Sequence, residues 1–559
     1  MTPPTRPAET GALLAGPVAA AGDSMAVAAW TVVSRVTGVA KFVAIGAVLG
    51  PTFFGNTYQF TNSLPNLVYY GFLAGSMFSS LLVPALVRHI DSGDRRASQR
   101  VAGGFLGLTL LALAMLAPLA VALGPLVLRL AAAGGAGQAV GADQERVGRW
   151  LIVMFVPQIF CYGVVGTATA VMNARRRFAL AAAAPALENI GILAVLGTAA
   201  AVYGTGTGLA GVTTGELLLL GLGTTGAVAA HAAAQWWGAR RAGVLLVPRA
   251  GWRDPEVRVI VRRALPSLAQ AGLLALQVLT LLVIADRVSG GVVAFQIALN
   301  FYTLAIALGA TPVALSLLPR LARMHASGDT ALFRDTLVRG FALGLFLAVP
   351  AAAGYLALAT PLARAVSFGR MGSAGGVTMV AVSLAALAVA VVGQTAFMIA
   401  TYASYARKDT RSPLLSMLVQ AGTCLSLASV ALLVHGPAVP GVLGLAFSAG
   451  VVAGAAHLCA RVWRGLRGGR ERLAPSLVKA VAGAAVMAGP AWLTATVVPG
   501  WLGRPFGAGV GILAAAAVGG AVFLACQAMW RAPELGWLLG GLGHLRGRAR
   551  RTIAGATHG

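Results

Sequence analysis

The chain alternates long apolar stretches with short polar connections. Window hydropathy predicts about 14 membrane-spanning helices, near 25–50, 64–87, 102–130, 150–172, 178–203, 214–239, 260–285, 291–318, 338–362, 377–404, 413–434, 440–460, 475–498 and 506–529. Each stretch is long enough to cross the hydrocarbon core, which takes roughly 20 apolar residues. The period-2 alternation of a membrane barrel is absent, so helices are the viable spanning element. Several spans contain proline: Pro84, Pro157, Pro185, Pro266, Pro312 and Pro350. Such bends are tolerated where neighbouring helices re-satisfy the freed backbone groups.

Composition agrees with this pattern and excludes a soluble fold. Hydrophobic residues make up 58% of the chain and charged residues 10%, against roughly 25% charged in a soluble domain. Mean hydropathy is +0.81. The 72 glycines suit helices that pack closely in a bilayer. Cys161, Cys424, Cys459 and Cys526 are scattered without metal-ligand spacing and read as small apolar residues. The Pro- and Ala-rich residues 1–24 read as a disordered tail, because no basic segment adjoins an apolar core there.

Charge adds an orientation. Of the 42 Lys and Arg, 32 lie in alternate connections or in the C-terminal tail. The opposite connections hold seven: Arg129, Arg146, Arg149, Arg287, Arg364, Arg370 and Arg504. The positive-inside rule therefore places both termini in the cytoplasm and favours an even number of spans. The net charge of +26 is a product of these short loops, which meet anionic lipid headgroups. No basic stripe with interleaved aromatics and no nucleic-acid motif accompanies it.

The chain also repeats itself. Pro84, Leu86, Arg88, Ser92, Gly93 and Asp94 match Pro319, Leu321, Arg323, Ser327, Gly328 and Asp329 at an offset of 235 residues. Ala174-Arg175-Arg176 is echoed by Ala406-Arg407-Lys408. The offset spans six predicted helices, an even number, so both copies run in the same direction. The expected architecture is all-α and polytopic, with two six-helix lobes in a parallel pseudo-two-fold repeat. The lobes are residues 25–239 and 260–460. Spans 13 and 14 (475–529) and a basic cytoplasmic tail (530–559) follow.

Candidate chemistry lies in the few charges within the spans. Arg35 and Lys41 sit in the first, where a basic residue near the bilayer centre costs roughly 2.5–3.5 kcal/mol unless it meets water or an anion. Glu188 in the fifth span is a candidate coupling group, or a structural partner for a cavity cation. Glu216 reads as interfacial. His231 and His457 read as isolated histidines near span ends. No metal cluster, Walker loop or catalytic constellation is present in the sequence. Neither an enzyme nor a cofactor is expected.

The motif Ser34-Arg35-Val36-Thr37-Gly38-Val39-Ala40-Lys41, followed by Leu64-Pro65-Asn66-Leu67 and Phe78 to Pro84, resembles the start of the MurJ/MviN family. These are lipid II flippases of the multidrug/oligosaccharidyl-lipid/polysaccharide exporter superfamily. Asn173 through Phe178, Ala184-Pro185, Asn189, Ser316-Leu317-Leu318-Pro319, Ser327-Gly328 and Tyr405 to Pro413 resemble its later helices, over roughly 25–460. The resemblance implies alternating-access transport of a polyprenyl-pyrophosphate-linked saccharide across a bacterial cytoplasmic membrane, in peptidoglycan and cell-wall synthesis. It implies partners among membrane lipids and envelope-synthesis proteins, and a lipid groove near spans 13 and 14. Arg35 and Lys41 are the expected headgroup cations. Asn56 stands where the family has an acidic residue, Tyr69 and Tyr70 where it has a basic pair, Ala74 where it has an acidic residue, and Leu299-Asn300 where it has Asp-Arg. Asn56, Asn66, Tyr69 and Asn300 thus join the expected substrate-binding set. Two alternatives remain open: a cation-coupled exporter of small amphipathic molecules, and a non-transporting envelope scaffold.

Overall fold

The computed structural model describes residues 16–69, 82–132, 137–464, 466, 470–502 and 507–538. The described residues are helical throughout, with short connections. Thirteen helices among them are long and apolar enough to cross a membrane. The expected second span, 64–87, runs across residues 70–81, so Tyr70 and Ala74 lie outside the described residues. The chain is an all-helical polytopic membrane protein.

Helix α1 (Gly16–Leu49) begins earlier than its hydropathy window, because Pro17 and the alanines behind it start a helix well. After it come α2 (Phe53–Tyr69), α3 (Val83–Asp91), α4 (Arg95–Ala132), α5 (Gly137–Ala174), α6 (Phe178–Tyr203) and α7 (Thr214–Arg241). Residues 242–254 lead to α8 (Pro255–Ala285). Helix α9 (Gly291–Ala305) passes through a π turn, Ile306–Ala310, into α10 (Thr311–Ala326). The wide turn falls just before Pro312, whose ring and missing N–H disrupt a regular helix. The remainder is α11 (Thr330–Ala357), α12 (Ala359–Val366), α13 (Ala374–Ala406), α14 (Arg411–Ala428), α15 (Val439–Arg464), α16 (Arg470–Leu502) and α17 (Gly507–Met529).

The repeated motif folds the same way twice. Gly93 and Gly328 both take φ 74°, closing α3 and α10. Asp94 N–H donates to His89 O at 2.9 Å and Asp329 N–H to Met324 O at 3.1 Å, the long bond of a Schellman motif. Each aspartate then caps the next helix, accepting from Ala97 N at 2.8 Å and Leu332 N at 2.9 Å. The weaker echo is also structural. Arg176 (φ 56°) and Lys408 (φ 60°) hold the left-handed position in two further matching turns.

Packing separates the molecule by depth. At the arginine-rich ends of the helices there are two distinct buried clusters. One contains Leu86, Val101, Phe105, Tyr162, Val171 and Leu246. The other contains Leu317, Leu321, Phe333, Phe341, Leu458 and Trp463. At the opposite ends, a single cluster joins α1, α2 and α4–α7 to α8, α9 and α11–α15; Leu49, Phe54, Tyr58, Phe155, Phe295 and Leu384 belong to it. Helices α16 and α17 pack together, and onto α11 through Phe346, Val349 and Phe523.

Candidate functional site

Helix α1 links the two features that matter. Along its length it packs on α6, and its far end meets α9 and the turn at Gly369–Gly372. Gly46 permits the close approach: a side chain there would press on Ile297 and Met371. Beyond it a polar seal ties the two helix groups. Asn56 is fully buried, donates to Val288 O at 2.8 Å and accepts from Val292 N at 3.1 Å. It thereby satisfies one of the free amides that begin α9. Ser289 Oγ donates to Pro51 O at 2.8 Å and Gln296 Nε2 to Ser63 Oγ at 2.9 Å. Gln144 donates to Asp286. Arg370 Nε donates to Thr205 O at 3.1 Å.

Nearer mid-depth, four helices of the first group bring polar groups together in an apolar surround. Glu188 of α6 takes His231 Nδ1 of α7 at 2.8 Å and the Tyr162 hydroxyl of α5 at 3.2 Å. Lys41 Nζ of α1 lies 3.9 Å from the same carboxylate, and the two side chains are only 12% and 10% exposed. Lys41 also lies over the Phe42 ring, 5.2 Å from its centroid. Gln235, one turn beyond His231, approaches its Nε2 at 3.5 Å and donates to Ala181 O at 3.3 Å. The neighbouring Asn189 holds α1 to α6 by donating to Ser34 O at 3.2 Å and Thr37 Oγ1 at 3.3 Å.

The structure therefore joins Lys41 and Glu188 and leaves the other expected residues apart from them. Arg35 is exposed, about one and a half turns from Lys41 toward the arginine-rich side of the molecule. Asn56 is spent on the seal. Asn66 is half-buried and contacts Asn62 O at 3.4 Å within its own helix. Asn300 is half-buried in α9. Tyr69 closes α2, and its side chain lies outside the described residues. His231 is not isolated as expected: it is a ligand of Glu188. The sequence signal for it is His231 and Gln235 at i, i+4 on an Ala-rich helix, placing two polar side chains on one face. Glu216 is buried and accepts from Thr207 at 3.2 Å. His457 hydrogen-bonds Ser416 at 2.9 Å. Among the described residues no His, Cys and carboxylate cluster can hold a metal.

Two helix groups that share a core at one end and have distinct cores at the other, with an ionic cluster at mid-depth, are parts a transporter requires. Residues 45–504 match the sequence model of the family described as lipid II flippase MurJ. The chain belongs to the MurJ family. It is a membrane transporter by family and not an enzyme. The match begins after Arg35 and Lys41. The probable lipid II flippase MurJ of Rhizobium meliloti (strain 1021) is 28% identical over 487 residues, covering 85% of this chain and 86% of that relative. Among solved structures, a lipid II flippase MurJ in an inward closed conformation superposes with a TM-score of 0.69 at 15% identity, over 90% of this chain and 98% of that one. An inward-facing multidrug resistance MATE family transporter of the MOP superfamily gives 0.60 at 13% identity, over 79% and 95%. The architecture is thus that of MurJ and of MATE transporters.

Proposed function

We propose that this MurJ-family protein moves a polyprenyl-pyrophosphate-linked saccharide, lipid II or a related lipid-linked glycan, across the cytoplasmic membrane by alternating access. The family match over residues 45–504 carries this reading. The arginine-rich side faces the cytoplasm, and both termini lie there. Residues 25–239 and 260–460 act as two lobes related by a near-two-fold along the membrane normal. The paired turns at Gly93 and Gly328 support that relation. A shared far-end core with separate arginine-side cores supports a resting state that admits substrate from the arginine-rich side.

The headgroup brings a pyrophosphate, which requires cations in a low-dielectric cleft. Exposed Arg35 meets it first. Lys41 then exchanges Glu188 for the pyrophosphate, while His231 and Tyr162 keep the released carboxylate satisfied. Asn66, Tyr69 and Asn300 complete the headgroup contacts, and the α16–α17 pair shelters the lipid chain. A cation-coupled exporter of small amphipathic molecules is the second reading, favoured by the Glu188–His231 pair. Complementation separates the two. Expression of this chain in a bacterium depleted of its own lipid II flippase is expected to restore growth. Tolerance to amphipathic cations without restored growth would select the exporter.

A further inference from the structure

Asp286 ends α8 inside the far-end seal and is 1% exposed. Gln144 of α5, on the other side of the seal, is 0% exposed and donates its Nε2 to Asp286 Oδ2. The pair leaves two buried oxygens without a hydrogen-bond partner: Asp286 Oδ1 and Gln144 Oε1. Both accept and neither donates, so an ionised Asp286 leaves two buried acceptors unmatched, each costing about 1–3 kcal/mol. A single proton resolves both. A neutral acid donates its O–H to the amide oxygen while the amide N–H donates to the acid carbonyl, closing a two-point ring.

Among the described residues no Lys or Arg forms an ion pair with the carboxylate. Arg287 Nη1 donates to Leu432 O at 3.2 Å. On α5 and the end of α4, Arg146 is held by Asp143, and Arg129 and Arg149 by Glu145. Helices α2 and α9 carry no charged side chain; Tyr58 of α2 is bonded to Thr224 at 2.7 Å. Helices α14 and α15 carry theirs at the arginine-rich ends, and His435 between them is exposed. Burial pushes the Asp286 carboxyl up to about 7, against the hydrogen-bonding pull of Gln144 and the nearby Asn56 amide.

We propose that Asp286 and Gln144 form a proton-binding latch: a proton taken from the far-side solution, on Asp286, closes the far-end seal, and its loss releases α8 from α5. The proton converts the carboxylate to the neutral acid, and nothing else changes covalently. An Asp286 released into water returns to an ordinary carboxylate value near 3.9. Between that value and about 7, the closed state binds more protons than the open one, so acid favours closure and rising pH favours opening. In a transporter of the kind proposed above, acid on the far side would drive resealing after substrate release.

The test uses the full chain in proteoliposomes and has two readings. Infrared difference spectroscopy detects the carbonyl stretch of a buried neutral acid. That band is expected at about pH 6, fading by about pH 8, and absent from Asp286→Asn. Its persistence in Asp286→Asn, or its absence from the wild type at the lower pH, overturns the proton site whether or not the protein transports lipid. Electron–electron spin distances then read the seal, with labels at Ala210→Cys and Leu433→Cys and the four native cysteines replaced. The closed-to-open ratio is expected to fall with pH, by up to about tenfold per unit. Asp286→Asn, whose amide restores both bonds to Gln144, should stay closed at every pH. The same pH response in wild type and Asp286→Asn, or none in the wild type, overturns the latch.

Discussion

At Glu188 one carboxylate serves three partners from three helices: Lys41, His231 and Tyr162. The loss of any one partner is therefore unequal. Lys41→Ala leaves Glu188 with two partners, whereas Glu188→Ala strands an ammonium and an imidazole in an apolar surround. Breaking a buried pair by removing one member costs about 3–5 kcal/mol. Glu188→Ala is expected to lower the thermal unfolding temperature of the detergent-solubilised protein well below that of Lys41→Ala; equal shifts would mean that the cluster is not an ionic hub. Lys41 and Glu188 were legible from the sequence, because charges within apolar stretches need partners. Their pairing was an open alternative there. His231 was missed because its partner is 43 residues away on the adjacent helix. Asp286 was missed because a residue one step beyond a hydropathy window looks like ordinary loop. Only the tertiary fold, which brings Gln144 of α5 and Asn56 of α2 to the end of α8, buries it.

Between elements, the connection from α7 to α8 lies on a glycine stripe of α4. Arg249 N–H donates to Gly103 O at 2.9 Å. A side-chain carbon at Gly107 would overlap the Arg249 carbonyl, and one at Gly251 would overlap Gly104. Gly107→Ala should therefore destabilise by about 1–3 kcal/mol, the usual cost of overpacking. Gly197→Ala, on α6 with open space around it, should be neutral or stabilise by up to about 1 kcal/mol. The same unfolding measurement checks both, and an unaffected Gly107→Ala would contradict the docked connection. The helices themselves were readable from apolar length, and the Ser-Gly-Asp turns from their repeat. The docking was not, because glycine is frequent in every span and the sequence does not mark which glycines meet backbone.

Over the whole molecule, burial is continuous at one end and divided at the other. That asymmetry coincides with the charge partition read from the sequence, which is the basis for assigning the divided end to the cytoplasm. Membrane-impermeant maleimide applied to intact cells should label Ala210→Cys and Leu433→Cys but not Ser92→Cys or Ser327→Cys, all at exposed positions. Labelling of the second pair alone would invert the molecule. Hydropathy and the repeat anticipated the scaffold; the division of its core at one end came only from the packing of residues far apart in the chain. The most direct test of the function is reconstitution in vesicles holding a polyprenyl-pyrophosphate-linked saccharide, with translocation read by access of an impermeant enzyme to the headgroup. The wild-type chain should expose or withdraw the headgroup faster than protein-free vesicles, Lys41→Arg should retain that activity, and Lys41→Ala should lose it at equal protein content. Translocation no faster than in protein-free vesicles would contradict the flippase account, and undiminished translocation by Lys41→Ala would remove the lysine from it.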